Sequence, residues 1–159
     1  MPYLIDGNNL IGTLPDLKIR DPESRHELVN RLLAFQRIHR TRILVVFDGP
    51  PDDTIPEKMC ARPLFRIYFP ERGKNADTVI KKLITKETDT RRFFVVSSDR
   101  ELKAFAKKNG APQLNSREFQ RELKQALKKY KKQRELDKDV SLPTPLEVEQ
   151  WKKVLKSQK

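Results

Sequence analysis

The chain has 159 residues, 35% of them charged, with a formal net charge of +12, which suits one domain with a real core plus an appendage and is too short for two full-sized domains. Cys60 is the only cysteine, and His26 and His39 are the only histidines; this excludes an intramolecular disulfide, a cysteine zinc site and a His-rich metal centre, so any resident metal is a hard ion on oxygen ligands, such as Mg²⁺ or Mn²⁺. No window has the apolar length to span a bilayer and the N-terminus lacks the pattern of a secretion signal, while so large a cationic surplus steers polyanions; the expectation is a cytoplasmic protein, with no membrane partner, that binds nucleic acid.

Short apolar runs alternate with amphipathic segments, the mark of βαβ units around a mainly parallel sheet. The first strand covers about residues 2–5 and stops at Asp6, which by itself reads as the cap of a helix or a turn, with Gly7 a permissive backbone and Asn8 and Asn9 filling a loop. A helix begins at "DPES", where Asp21 caps, Pro22 takes the first turn, and Leu28, Leu32, Phe35 and Ile38 form an apolar stripe. Strands follow at about 42–47 and 64–69, and between them Asp52 and Asp53 read as surface residues of a proline-rich loop. "NADTVIKKLITKE" is the next helix, with Val79 and Leu83, and with them Ile80 and Ile84, as the positions facing the sheet. A fourth strand at about 92–97 leads into "DRELKAFAKKNG", a helix that Gly110 terminates, and a weak fifth strand lies at about 112–115.

The long helix from Ser116 to Arg134 separates its faces: Phe119, Leu123, Leu127 and Tyr130 recur at helical spacing, and Arg117, Arg121, Lys124, Lys128 and Lys131 form a second stripe. From Gln120 to Arg134 seven basic residues face the single acid Glu122, so this stretch carries +6, half of the whole charge. A solvated face and a polyanion-binding face both fit that pattern. The expected domain is 1–134, and 135–159 hold the linker "ELDKDVSLPTP" and a last helix opened by the capping box of Thr144, Pro145 and Glu147. Val148, Trp151 and Leu155 share one face of that helix; docking back on the domain is the expected fate of Trp151, and a partner-docking helix is the alternative.

Four acids occupy equivalent places: Asp6 follows "YLI", Asp48 follows "ILVVF", Asp99 follows "FFVVSS", and Asp77 opens the helix after "FRIYF". The ends that follow parallel strands share one sheet edge, where open α/β folds bind ligands. Each acid alone is explained by capping. Together they form a carboxylate cluster that a divalent cation would screen, in the manner of a nuclease whose metal polarises a scissile phosphate and activates water. Lys74, Arg72 and Arg100 flank these motifs and, with Arg121, Lys124, Lys128 and Lys131, are the candidate phosphate contacts.

"LIDGNNLI" resembles the Asp-Gly-x-Asn opening of NYN-domain nucleases of the PIN-like family, and "VVFDG", "NADTVI" and "VVSSDRE" resemble their three later motifs in the same order. The resemblance is closest to the YacP-like bacterial branch and covers roughly residues 2–119. It implies an α/β, Rossmann-like PIN/NYN fold and Mg²⁺- or Mn²⁺-dependent endoribonuclease activity on RNA. Carried residue by residue, it makes Asp6, Asp77 and Asp99 the metal-binding or water-activating acids, with Asp48 a further acid of the pocket. Asn9 becomes the motif asparagine that orients an acid or a metal-bound water, and Ser98 a support for Asp99. Asn8 departs from the aromatic residue often seen in this branch. Because the branch includes nucleases that act on messenger RNA at the ribosome, the resemblance also allows a ribosomal partner. Two rivals remain: a noncatalytic RNA- or ribosome-binding module, and a metal-dependent DNA flap nuclease or phosphatase using the same acids. A pure binder gains nothing by presenting carboxylates to phosphate, whereas no residue separates RNA from DNA.

Overall fold

A computed structural model describes residues 1–137. The first apolar run forms β1 (Tyr3–Asp6) and passes directly into a short helix, α1 (Gly7–Thr13). Glycine and two amides favour a turn by propensity, but here packing decides, because Leu10 and Ile11 on α1 are buried. Gly7 permits the close approach of Phe47 to this junction: a Cβ on it would lie 2.6 Å from a ring carbon of Phe47.

The helix predicted at "DPES" is α2 (Pro22–His39), with Asp21 accepting from the Glu23 amide and Leu28, Leu32 and Phe35 buried. Then come β2 (Ile43–Val46), a single turn α3 (Glu57–Cys60), the two-residue β3 (Ala61–Arg62), β4 (Phe65–Tyr68) and α4 (Ala76–Lys86). The described chain ends with β5 (Phe94–Val96), α5 (Arg100–Lys108), β6 (Gln113–Leu114) and α6 (Ser116–Asp137). All five expected strands are present. The sixth, β3, is too short to leave a periodic signal and is the one antiparallel member of the sheet.

The strand order is β3-β4-β2-β1-β5-β6. The chain first builds outward from β1 through β2 and β4, then crosses to β5 on the other side, so the order reverses at β1. Such a switch point opens a crevice beyond the strand ends. One face of the sheet carries α1, α2 and α6 over Ile5, Ile43, Val45 and Phe65, and the other carries α4 and α5 over Leu4, Leu44, Val46 and Val95. Burial on both faces explains why β1, β2 and β5 read as unbroken apolar runs.

Two helices refine the sequence pattern. In α4 the fully buried pair is Ile80 and Ile84, while Val79 and Leu83 are half-buried beside them. In α6 Phe119, Leu123, Ala126 and Tyr130 are buried, and the helix runs on to Asp137, past the expected boundary at 134. Residues 138–159, with the Thr144 capping box, the Trp151 helix and most of the linker, lie outside the described residues. Among the described residues no helix is long and apolar enough to cross a membrane.

Candidate active site

The crevice beyond β1 and β5 is lined by acids. Asp6, the last residue of β1, is only 8% exposed, and its Oδ2 accepts a hydrogen bond of 3.1 Å from Ser97 Oγ. Burial pushes its carboxyl up to about 6; the Ser97 bond and the Asn9 amide oppose that shift, and the charges of Asp77 and Asp99 add to it. Asp77 is also raised, first by burial and then by Asp99, Glu101 and Asp48, with Lys81 opposing. The structure thus brings Asp6, Asp48, Asp77 and Asp99 into one electrostatic neighbourhood.

Each acid is positioned locally. Asp99 caps α5, its Oδ1 accepting from the Leu102 amide at 3.1 Å. Asp48 Oδ1 accepts from the amides of Gly49 and Ala76, both at 3.1 Å, and so ties the end of β2 to the start of α4. The Asp48 amide in turn donates to Asn8 Oδ1 at 3.2 Å. Asp77 is not the cap of α4, because Asn75 does that work by accepting from the Thr78 amide. The Asp77 carboxylate therefore has no capping duty.

One expected assignment changes. The hydroxyl that supports Asp99 belongs to Ser97, not Ser98: Ser97 Oγ accepts from the Asp99 amide at 3.1 Å while donating to Asp6. Ser98 looks the other way, its amide donating to Asn9 Oδ1 at 2.9 Å and its Oγ accepting from the Ser116 amide at 3.3 Å. With both faces of β5 covered, the alternation that would have told Ser97 from Ser98 is absent from the sequence.

The donor set suits a hard divalent ion: carboxylate oxygens only, one of them buried and surrounded by like charge. Among the described residues no three His, Cys, Asp or Glu side chains close into a cage around an ion.

With this geometry in place, the YacP-like NYN domain profile matches residues 3–158. The chain belongs to the YacP-like NYN domain family. Its fold is that of Rae1 (YacP) from Bacillus subtilis, whose crystal structure superposes with a TM-score of 0.72 at 24% identity over 99% of this chain and 91% of that one. The W164L mutant of the same protein gives 0.68 at 24% identity over 96% and 92%. No curated protein matches the chain. An NYN domain is a nuclease-type fold, which makes the coarse role nuclease-like and RNA-related.

The predicted phosphate contacts of this NYN domain fall into two groups. Lys74, paired with Glu71 at 3.4 Å, and Arg72 and Arg100 are exposed near the acids. Arg121, Lys124, Lys128 and Lys131 are exposed along α6, which starts at the crevice and runs back across the α2 face; Lys131 is therefore about 22 Å along the axis from Ser116 at 1.5 Å per residue. A further cation had no sequence motif to mark it. Lys81, one turn after Asp77, places its Nζ 2.7 Å from Glu101 Oε1, in the field of Asp77 and Asp99.

Proposed function

We propose that this NYN domain is a Mg²⁺- or Mn²⁺-dependent endoribonuclease acting on RNA in the cytoplasm; the family resemblance allows messenger RNA at the ribosome as its substrate. The observation that carries the reading is the buried Asp6, oriented by Ser97 and set in the field of Asp77 and Asp99. A basic chain that gathers four acids at one sheet edge invites a cation there. Asp6, Asp77 and Asp99 would hold the ion, which when bound supplies polarisation of the phosphate and activation of water.

The chain's own residues do the rest. Ser97 fixes the rotamer of Asp6 and the Asp99 amide with a single hydroxyl. Asp48 fastens the start of α4 and with it Asp77. Lys74, Arg72 and Arg100, and the stripe on α6, would neutralise phosphates flanking the scissile bond.

Labelled single-stranded RNA, structured RNA and DNA incubated with the protein in Mg²⁺, Mn²⁺ and EDTA test this. Internal cuts in RNA that require metal are expected. RNA binding without cleavage under any ion would favour the noncatalytic module, and equal cutting of DNA would favour the flap-nuclease rival.

A further inference from the structure

We infer that Ser116, the first residue of α6, is a positioning residue of this site, holding Asn9 and through it the Ser97–Asp99 loop; its catalytic consequence rests on the nuclease reading above. Ser116 is fully buried. Its Oγ donates to Asn9 Oδ1 at 2.6 Å, and the Ser98 amide donates to the same oxygen at 2.9 Å. The Ser116 amide closes the ring by donating to Ser98 Oγ at 3.3 Å.

An amide carbonyl has two lone pairs, and both of Asn9's are taken by these donors. Its oxygen is thus committed to protein rather than to an ion or a water, so Asn9 acts as a clamp between α1 and the β5–α5 loop. Ser116 Oγ donates away from its own helix, into the crevice edge. Three segments far apart in sequence meet at this oxygen, and one of them opens the helix that carries the cationic stripe. Acids and phosphate contacts are therefore held in one frame, with Ser116 as the joint. Removing its hydroxyl leaves the Ser98 amide and Asn9 to adjust around an unfilled acceptor site, which loosens the loop that presents Ser97 to Asp6 and Asp99.

The test compares wild type, Ser116→Ala, Asn9→Ala and the double variant. In metal-free protein, amide exchange at Ser98 should quicken about tenfold in Ser116→Ala, the weight of one buried hydrogen bond, while amides in β2 and α2 keep their protection. In the cleavage assay kcat per folded molecule should fall about tenfold with KM for RNA nearly unchanged, and the double variant should be no slower than Asn9→Ala alone. Unaltered Ser98 exchange in Ser116→Ala, or losses that simply add in the double variant, would overturn the inference. If the wild-type protein cuts no RNA, the nuclease reading fails, and the exchange result still decides whether Ser116 positions the loop.

Discussion

Ser97 and Asp6 are joined by a hydrogen bond of 3.1 Å although 91 residues separate them in the chain. The bond lowers the Asp6 carboxyl, yet burial outweighs it and leaves the group at about 6. The sign for stability follows. An acid raised by folding contributes stability that is complete below its unfolded value, 3.8, and lost as pH rises through the folded one. In EDTA the protein should therefore lose up to about 3 kcal/mol between about pH 4 and pH 7 from this group, at 1.36 kcal/mol per pH unit. Urea unfolding across that range should show a flatter pH dependence for Asp6→Asn. Identical pH profiles for the two proteins would mean that Asp6 is not held in this way.

A cation in the crevice would reverse that penalty by favouring the charged form. Mn²⁺ at about 100 times its dissociation constant should stabilise the wild-type protein by about 2.7 kcal/mol. Asp6→Asn and Asp77→Asn should each lose most of that gain. Thermal melts with and without Mn²⁺ measure it, and an equal shift in all three proteins would place the ion elsewhere.

Asp77 separates catalysis from folding more cleanly than any other acid here, because Asn75 and not Asp77 caps α4. Asp77→Asn should change stability by no more than about 0.5 kcal/mol, the range of ordinary surface substitutions. Cleavage should nevertheless fall by orders of magnitude, since the lost charge is one that would hold the metal in the proposed mechanism. RNA affinity should persist or rise, a carboxylate that repels phosphate having gone. Melting, binding and Mn²⁺-dependent cleavage read on the same variant would settle it; cleavage near the wild-type rate removes Asp77 from the mechanism.

What the sequence reveals follows from how far its physics reaches. Strands buried on both faces leave unbroken apolar runs, so "YLI" and "ILVV" are plain, and parallel topology then places the ends after β1, β2 and β5 on one edge. α1 escapes notice because Gly7, Asn8 and Asn9 have turn propensity, and only the contact of Leu10 and Ile11 with the core makes them helical. Hydrogen bonds between remote segments leave no local trace. The partnership of Ser97 with Asp6, of Asn9 with Ser116, and of Lys81 with Glu101 each depends on the fold bringing two helices or loops together.

The stripe on α6 is where charge and geometry combine into the most specific expectation. Arg121, Lys124, Lys128 and Lys131 are all exposed, and each phosphate contact on a single strand adds about 0.7 to the slope of log affinity against log salt. Replacing all four with glutamine should weaken RNA binding and lower the slope by about 3. The helix axis orders the contributions: Arg121 lies about 8 Å from the start of α6 and Lys131 about 22 Å, at 1.5 Å per residue. An RNA anchored at the crevice meets Arg121 first, so Arg121→Gln should weaken short and long RNAs alike, whereas Lys131→Gln should matter only for RNAs long enough to follow the helix. Salt titrations of binding on a length series decide this. An unchanged slope in the fourfold variant would reduce the stripe to a solubilising surface, and a length-independent loss in Lys131→Gln would mean that RNA does not run along α6 from the acids.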